Sequence, residues 1–535
     1  MKILFIISIV ISLYYLLFKS QKAYHMMQQN YYNDDNRYIK WMSNNYKKMF
    51  LNFDILFLIF IVLCFVKNTM LSIIVFICLY LISYVTYKNK MKNEQSKKPL
   101  VITARVKRLY ATEIVLFMLL VLSMIFKYNE NYINIYYFLI GFMIFMDWYL
   151  VLLANIINKP IEKMVFNHFK KMAKTKLKNM NDLKKVAITG SYGKTSSKNI
   201  LNDILSVKYN SYATEKSFNT MNGLMISINN KLDKFTDVFI SEMGAFKKGE
   251  IKQLCDLINP QYGILTIIGT AHLESFKTRE NIRDAKFELI DSLPSDGIAI
   301  LNMDDPYQTS YDIKSECEKI WVSLDNRDAD VYASDIKLSG AGTTFKVRFK
   351  ETKENVTLET KLLGNANVYN VLQSVALAHA LGLDMKQIQT GVKRIKPVEH
   401  RLELKKYGDI NIIDDAYNSN PVGAKMAIQV LSMMKGKKII VTPGMIELGD
   451  KQYEYNMDFG KQIAKVCDEV ILIGEEQTKP ILEGLKKEKY KKENIHVLND
   501  VKEAFPLMKK LSDSDTYVLL ENDLPDIFNE YELII

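Results

Sequence analysis

The residues of this 535-residue chain best suited to chemistry form one short loop, in which glycines and hydroxyl side chains surround a lysine. Glycines let backbone N–H groups close on phosphate oxygens, and a helix that starts there adds positive potential. We expect Lys194 to reach the terminal phosphates of a nucleotide and Thr195 to hold a magnesium ion. The spacing is shorter than the usual G-x-x-x-x-G-K-[ST] pattern, so a chance glycine turn is the competing interpretation. The residues that we expect to bind the nucleotide here are Gly190, Ser191, Tyr192, Gly193, Lys194, Thr195 and Ser196.

Such a loop needs a strand before it and a helix after it, and the sequence supplies both. Residues 186–189 are largely β-branched and predict a buried strand, and a helical pattern follows the loop. Two further predicted strands, 236–241 and 263–268, run into Glu242 and His272. Ligands in open parallel sheets bind at the carboxyl ends of the strands. We therefore expect Glu242 and His272 to share one sheet edge with the loop, although either residue alone would more often be an ordinary loop residue.

The first 157 residues are strongly apolar and predict a membrane region of about five spans. A cleaved signal peptide is the alternative for the first run, but no small-residue cleavage pattern follows it. The first and fourth runs are short and could instead be re-entrant, so the number of spans stays open. The runs are Ile3 to Phe18, Phe50 to Val66, Met70 to Tyr87, Ala111 to Phe126 and Ile133 to Ile157.

The distribution of lysine and arginine predicts the orientation of these spans. The connections after the first and third runs are rich in both residues, whereas the other two hold only Lys67 and Lys127. Positive residues prefer the cytoplasmic side of a membrane. Five spans would place the N-terminus outside and everything after Ile157 in the cytoplasm. We therefore expect a multi-pass protein of the cell membrane whose catalytic domains are cytoplasmic.

The net charge of +11 does not indicate nucleic-acid binding, because much of the excess lies in those connections and in residues 159–185. In that segment lysines alternate with Met and Phe, which predicts an amphipathic connector lying against anionic lipid. A solvated basic helix is the open alternative. The five cysteines are scattered without a C-x-x-C pair, so neither a zinc site nor a disulfide framework is supported.

A series of motifs carries a family resemblance. The chain resembles the Mur ligases from Val186 to about Gly474, and the order of the motifs is similar to that of the branch that adds D-alanyl-D-alanine to the muramyl tripeptide. The motifs are GSYGKTS, SFNT (217–220), EMGA with GEI (249–251), IGTAHLESF (268–276), DAKFELI (284–290), LNMDDP (301–306), DDAYNSNP (414–421) and GMIELG (444–449).

The resemblance implies a chemistry and roles for individual residues. A Mur ligase uses ATP to convert a substrate carboxylate into an acyl phosphate, which the amine of an amino acid or dipeptide then attacks. Thr195 and Glu242 resemble the ligands of a first magnesium ion, and His272 resembles the ligand of a second. Lys286 matches a lysine that family members carbamylate, and a carbamate would supply an anion where a bare ammonium would repel magnesium. A lysine on a helix surface is the alternative for Lys286.

The second half of the chain matches further contacts of the family. Asn302 resembles the adenine contact, and Asp305 is expected to assist the turn after it. Arg401 stands where the family points an arginine at the γ-phosphate. These contacts would form when the domains close. The loop that closes over nucleotide and amine is matched by Asp415, Tyr417, Asn418 and Asn420.

Several positions depart from the family pattern. The family has asparagine, histidine and serine at the positions of Ile267, Ala366 and Gly423. The basic stretch expected near the C-terminus is replaced by residues 520–526, LENDLPD, and an acidic loop there would attract an amine rather than a carboxylate. The domain that grips uridine diphosphate is also replaced by the membrane region, so the acceptor could be nucleotide-linked or lipid-linked.

We therefore predict an α/β protein with a helical membrane region, a P-loop-type central ATPase domain and a C-terminal Rossmann-like α/β domain. The predicted function is a membrane-anchored, ATP- and magnesium-dependent amide ligase of cell-wall peptidoglycan synthesis. It would join a muramyl-peptide-type acceptor to an amino acid or dipeptide such as D-alanyl-D-alanine. The alternative is a membrane scaffold or switch that retains the ATPase core without ligase activity. The predicted boundaries are 1–158 for the membrane region, 159–183 for the connector, 184–395 for the central domain and 396–535 for the C-terminal domain.

Overall fold

The computed structural model of the chain divides into two compact units. The first contains the described residues up to Asn167, and the second begins at His168. The described residues are 2–30, 32, 35–50, 55–56, 59–60, 68–93, 99–126, 132–339, 342–408, 410–417, 419–446 and 448–523.

The first unit is helical. Three of its described helices are long and apolar enough to cross a membrane, over Ile3–Gln29, Thr69–Asn89 and Ala104–Phe126, and the last pair of helices, bent by 75°, would make a fourth span if counted together. The second predicted run, 50–66, lies largely outside the described residues, so the number of spans stays a prediction. The helices are α1 (Lys2–Gln29), α2 (Asp35–Phe50), α3 (Thr69–Asn93), α4 (Ala104–Phe126), α5 (Ile133–Phe145) and α6 (Asp147–Lys178).

Buried polar contacts tie the helices of the first unit to one another. The Glu113 carboxylate on α4 accepts hydrogen bonds from the hydroxyl groups of Ser20, at 2.5 Å, and Tyr24, at 2.6 Å, on α1. The Lys19 ammonium lies 3.3 Å from the Asp147 carboxylate at the start of α6. Charged groups surrounded by apolar helices need such partners, because water cannot satisfy them there.

Helix α6 is continuous from Asp147 to Lys178, with Pro160 inside it. The predicted boundary between membrane region and connector, at residue 158, therefore falls within a helix. Two hydrogen bonds hold the end of α6 in the second unit, from Asn229 Nδ2 to the Phe169 carbonyl and from Lys176 Nζ to the Asn229 carbonyl. The basic segment is thus helical as far as Lys178, and its contact with lipid stays a prediction.

The second unit starts with a largely parallel sheet whose described strands run in the order β2-β3-β1-β4-β5-β6-β7-β8-β9. Strands β2 to β7 are parallel, and β7, β8 and β9 form an antiparallel extension. The strands predicted around residues 186, 238, 264 and 300 are confirmed, with ends shifted by a few residues. The strands are β1 (Lys184–Thr189), β2 (Ser211–Ala213), β3 (Val238–Glu242), β4 (Tyr262–Leu265), β5 (Ile298–Asn302), β6 (Glu318–Ser323), β7 (Val331–Ser339), β8 (Gly342–Phe349) and β9 (Asn355–Thr360).

Helices cover this sheet and bury its apolar side chains. One buried cluster joins Ile188 of the first strand to Ile204, Val371 and Ile388 of three helices. Burying both faces explains why the parallel strands are continuous apolar runs rather than alternating ones. The helices are α7 (Lys194–Leu205), α8 (Met221–Asn230), α9 (Glu250–Ile258), α10 (Leu273–Phe276), α11 (Arg279–Phe287), α12 (Pro306–Thr309), α13 (Asn365–Ala380) and α14 (Met385–Arg394).

A second sheet follows, with described strands in the order β10-β11-β15-β12-β13-β14. Only the edge strand β10 is antiparallel to its neighbour. Its strands are β10 (Glu403–Tyr407), β11 (Ile410–Asp415), β12 (Lys438–Thr442), β13 (Glu469–Ile473), β14 (Ile495–Leu498) and β15 (Tyr517–Glu521). Its helices are α15 (Pro421–Ser432), α16 (Gln452–Ala464), α17 (Glu475–Lys487) and α18 (Val501–Leu511).

Candidate active site

The loop between β1 and α7 adopts a backbone that only glycine accepts at two positions. Gly190 has φ +150°, and a Cβ atom there would lie 1.9 Å from Thr266 Oγ1. Gly193 has φ +82°, and a Cβ atom there would lie 2.6 Å from Asn370 Oδ1 on α13. The two glycines therefore let the chain turn tightly from the strand into the helix.

Helix α7 begins at Lys194, within the segment that the sequence predicted as the nucleotide-binding loop. The residue before this helix, Gly193, has no side chain to cap it. The first N–H groups of the helix are therefore left for another acceptor, as at a phosphate-binding helix start. The Lys194 ammonium donates hydrogen bonds to the carbonyl oxygens of Gly190, at 2.8 Å, and Ser191, at 3.0 Å. Burial lowers the pKa of Lys194 to about 8, against the opposing attraction of Glu242.

Two of the side chains that were predicted to bind the nucleotide form hydrogen bonds between the loop and the segment after β4. Ser191 Oγ accepts a hydrogen bond from the Gly269 N–H at 2.9 Å. The Tyr192 hydroxyl lies 3.0 Å from Thr270 Oγ1 and accepts the Thr270 N–H at the same distance. A Cβ atom on Gly269 would lie 2.2 Å from the Tyr192 ring, so the ring packs directly on that backbone. Tyr192 and Ser191 thus hold the loop in shape.

Glu242 lies at the carboxyl end of β3, next to the loop, as its position in the sequence predicted. Its Oε1 accepts hydrogen bonds from Thr195 Oγ1 and Asn219 Nδ2, both at 3.1 Å. Its Oε2 is buried and makes no hydrogen bond within the described residues, although the Lys198 ammonium lies 3.3 Å away. A hydroxyl and a carboxylate are hard oxygen donors of the kind that magnesium prefers, so Thr195 and Glu242 Oε1 fit the predicted ion.

His272 lies after β4 in the left-handed conformation, with φ +58°, and its ring centroid is 4.4 Å from that of Phe246. Within the part of the chain that the structure describes, no three His, Cys, Asp or Glu side chains gather into a metal-binding cluster. Magnesium bound beside nucleotide phosphates usually takes only one or two protein carboxylates. The role of His272 at a second magnesium ion therefore stays a prediction.

Lys286 on α11 is buried, with 3% of its surface exposed. It makes no hydrogen bond or ion pair with the other described residues, and its ammonium lies 6.0 Å from the centroid of the Phe276 ring. Burial, and then the nearby positive charge of Lys194, lower the pKa of Lys286 to about 7. The alternative of a lysine on the helix surface is wrong. The carbamylation of Lys286 stays a prediction.

Asn302 and its neighbours form a hydrogen-bonded turn after β5. Asn302 Oδ1 accepts the Asp304 N–H at 3.0 Å. Asp305 Oδ2 accepts the Ile268 N–H at 2.8 Å, and Asp305 also caps helix α12. The expectation that Asp305 assists this turn is confirmed. Tyr369 on α13 donates its hydroxyl to Asp304 Oδ2 at 2.7 Å, which fixes the turn against that helix.

Arg401 lies two residues before β10 of the second sheet. Its guanidinium stacks 4.2 Å from the centroid of the Tyr417 ring, and its charge contributes to the lowered pKa of Lys194. The Tyr417 hydroxyl makes a hydrogen bond with Ser217 Oγ, which joins the two sheets' domains. Asn418 lies outside the described residues.

The side chains of Asp415 and Asn420 accept hydrogen bonds from backbone N–H groups. Asp415 Oδ1 accepts the Leu402 N–H at 3.1 Å. Asn420 caps helix α15, because its Oδ1 accepts the N–H groups of Val422, at 3.2 Å, and Gly423, at 2.8 Å. Their predicted contacts with the nucleotide and the amine are not tested by these bonds.

The acidic segment near the C-terminus differs from the exposed loop that its composition suggested. Glu521 is the last residue of β15 and is fully buried. It stands beside Asp415 in register, and Ser419 Oγ donates to its Oε1 at 2.5 Å. Burial and the neighbouring carboxylate raise the pKa of Glu521 well above its usual range, and burial raises that of Asp415 to about 6. Glu521 is therefore not a surface charge. Residues 524–526 of the predicted acidic loop lie outside the described residues, so the attraction of an amine by that loop stays a prediction.

Three residues at this site were missed from the sequence. Lys198 and Asn219 both contact Glu242, and Asn370 lies against Gly193 and accepts a hydrogen bond from Ser197 Oγ at 3.1 Å. Lys198 lies one helical turn beyond Lys194, so helical spacing could have placed it on the same side of α7. Asn370 comes from a distant helix, and no local signal indicates it.

Two family models match the second unit of this chain. The Mur ligase middle domain matches residues 188–378, and the Mur ligase glutamate ligase domain matches residues 400–521. The first match covers the sheet that carries the phosphate loop. The second covers the sheet that carries Arg401 and Asp415.

Curated relatives and solved structures agree with these matches. The UDP-N-acetylmuramoyl-tripeptide–D-alanyl-D-alanine ligase of Bacillus subtilis is 32% identical to this chain over a match that covers 52% of it. The ligase of the same name from Escherichia coli is 30% identical over a match that covers 54% of this chain. The matches span 60% and 64% of those relatives' own lengths. MurF from Acinetobacter baumannii superposes with a TM-score of 0.61 at 25% identity, over 69% of this chain and 79% of that one. MurF from Thermotoga maritima, solved in complex with ADP, gives 0.60 at 25% identity, over 69% and 82%.

Proposed function

Because this chain belongs to the Mur ligase family over residues 188–378 and 400–521, we propose that it is an ATP-dependent amide ligase. The observation that carries the proposal is the convergence of four charged side chains on the phosphate loop. Thr195 of the loop contacts Glu242, and the charges of Lys286 and Arg401 act on Lys194. Such a set binds and orients phosphate groups from both domains.

The proposed reaction has two steps, and ATP takes part only in the first. Bound ATP with magnesium provides the phosphoryl group that turns a carboxylate into an acyl phosphate. An amine then forms the C–N bond, and the C–O bond to phosphate breaks. Lys194 and the first N–H groups of α7 would hold the phosphate oxygens, while Thr195 and Glu242 would hold the magnesium ion. Arg401 would bring positive charge to the transferred group from the second domain.

The relatives' names indicate the substrates that we propose. Those relatives join D-alanyl-D-alanine to a UDP-linked muramoyl tripeptide, and we propose the same acceptor and dipeptide for this chain. The apolar helices of the first unit support anchoring in the cell membrane, with the second unit in the cytoplasm. The scaffold alternative receives no support from the comparisons. A lipid-linked acceptor also receives none, and it becomes an outcome of the experiment below.

Lys286 gives the proposal a more specific feature. We propose that it is carbamylated in the working enzyme and that the carbamate serves the second magnesium ion together with His272. Its burial without an ion-pair partner among the described residues supports this, because a buried ammonium is costly, whereas the positive charge of Lys194 would attract an anionic carbamate.

The test is phosphate release by the detergent-solubilised full-length protein with ATP and magnesium. Acceptors would be the UDP-linked and lipid-linked muramyl tripeptides, and amines would be D-alanyl-D-alanine, single amino acids and ammonia. We expect release that requires both the UDP-linked tripeptide and D-alanyl-D-alanine, loss of release in Lys194→Met, and no change in Lys425→Met, which alters an exposed lysine of α15. Release that ignores acceptor and amine would contradict the ligase. Release with the lipid-linked tripeptide alone would contradict the proposed acceptor.

A further inference from the structure

Lys198 is a fully buried lysine that the proposed chemistry does not use. It lies on α7, one turn beyond the phosphate-binding lysine and three residues after Thr195. Its ammonium points to the sheet edge, where it lies 3.3 Å from Glu242 Oε2. A buried lysine needs a compensating charge, and within the described residues Glu242 is its ion-pair partner. Lys198 and Glu242 therefore form a nearly neutral pair.

The Lys198 side chain is held in this position from a second direction. Its ammonium also donates a hydrogen bond to the carbonyl oxygen of Lys216, which has φ +45°. The segment after Lys216 carries Asn219, whose amide binds the other oxygen of Glu242. Glu215 adds a further attraction from the start of the same segment, where its carboxylate accepts a hydrogen bond from Ser227. Lys198 is thus fixed at Glu242 from two sides.

The two oxygens of Glu242 consequently have different surroundings. Oε1 faces Thr195 and Asn219, whereas Oε2 faces the Lys198 ammonium. A divalent cation at Oε1 would stand only a few ångströms from the fixed positive charge of Lys198. Repulsion between like charges over such a distance weakens the binding of the cation at Oε1. Glu242 alone is therefore a poor magnesium ligand, and phosphate oxygens must supply the missing negative charge.

We propose that Lys198 is a positioning residue that makes metal binding at Glu242 depend on bound nucleotide. While no phosphate is present, the Lys198 ammonium pairs with the Glu242 carboxylate and repels a divalent cation. It therefore suppresses the binding of the cation in the absence of nucleotide. Once phosphates arrive, their negative charge outweighs the repulsion, and the metal and the nucleotide bind together. This inference rests on the proposed function only in treating Glu242 as the carboxylate that faces the nucleotide's metal ion.

The experiment measures Mn²⁺ binding by electron paramagnetic resonance in the full-length protein in detergent at pH 8, first without nucleotide. We expect Lys198→Met to bind Mn²⁺ about tenfold or more tightly than the wild type. Lys198→Arg keeps the positive charge and should behave as the wild type does. Adding Glu242→Gln to Lys198→Met should remove the gained binding, which would locate that binding at Glu242.

The outcomes separate the inference from its alternatives. Equal Mn²⁺ affinity in the wild type and Lys198→Met would overturn the inference, and so would a gain that survives Glu242→Gln. The wild type provides a second measurement in case Lys198→Met does not fold. Its Mn²⁺ affinity should rise at least about tenfold when a non-hydrolysable ATP analogue is bound, and an unchanged affinity would also overturn the inference. Because these measurements need neither acceptor nor amine, failure of the ligase assay would be recognised separately.

Discussion

Glu521 provides a prediction that is independent of substrates. It is fully buried beside Asp415, and its raised pKa means that the folded protein keeps a proton that the unfolded chain releases above about pH 4.5. The contribution of Glu521 to the free energy of unfolding is therefore fully present below that pH and decreases as the pH rises. One retained proton makes the free energy of unfolding fall by about 1.4 kcal/mol per pH unit. This loss continues as the pH rises from 5 toward the raised pKa of Glu521.

The variant Glu521→Gln removes this proton requirement. The amide oxygen can still accept from Ser419 Oγ, and the amide N–H can donate to the Asp415 carboxylate. We expect the variant to become more stable relative to the wild type as the pH rises, by about 1.4 kcal/mol per unit. Asp415, whose pKa burial raises to about 6, titrates in both proteins, and because it contacts residue 521 its titration contributes to the difference between them.

The assay is urea unfolding of the full-length protein in detergent, with pulse proteolysis reporting the intact C-terminal domain at pH 5, 6 and 7. Glu503→Gln is a control in the same domain, because Glu503 is an exposed residue in the first turn of α18. That control should gain no stability as the pH rises. If Glu521→Gln gains none either, Glu521 is ionised in the folded protein and the reasoning fails.

Three further predictions concern the phosphate loop and its neighbours. Lys194→Met should lower phosphate release by about 10²- to 10³-fold through loss of a phosphate contact, and a smaller effect in the substrate assay would contradict its role. Lys286→Ala should lose activity and regain part of it with added acetate or formate, and the absence of rescue would count against a carbamate. Gly193→Ala should weaken binding of an ATP analogue, measured by fluorescence, because its φ of +82° is strained and its methyl group would lie 2.6 Å from Asn370 Oδ1. Adding Asn370→Ala should restore binding only in part, and complete restoration would mean that the backbone conformation is not strained.

The sequence was most informative where chemistry follows directly from strand ends. The strand that ends in Glu242 and the loop that follows β1 could be placed together because parallel strands deliver their carboxyl ends to one edge. Asn420 was matched only to the family's closing loop, although asparagine followed by proline is typical of a helix start and could have indicated the cap that the structure shows. Local patterns thus predicted the main elements and two of the charged groups of the site.

The sequence was least informative where the environment of a charge decides its role. Lys198 resembles a surface lysine of a helix, and only the packing of α7 on the sheet shows it buried at Glu242. Glu521 stands in an acidic stretch, yet it continues a buried strand and is therefore inside. Burial depends on contacts between distant segments, so composition alone could not separate these residues from exposed charges.

The hydrogen bonds of Lys194 to its own loop have a consequence for the turnover cycle. An entering phosphate must displace the ammonium from two backbone carbonyls, of Gly190 and Ser191, before it can be held. The carbonyl oxygens of the loop thus compete with an anion for the Lys194 ammonium, and this competition lowers the binding affinity of every anion by the same factor. Ligands with several phosphates compensate for this loss of affinity through additional contacts, whereas a single inorganic phosphate does not. When the products leave, the lysine returns to the same carbonyls, so the loop favours release of spent phosphate and keeps its shape between cycles.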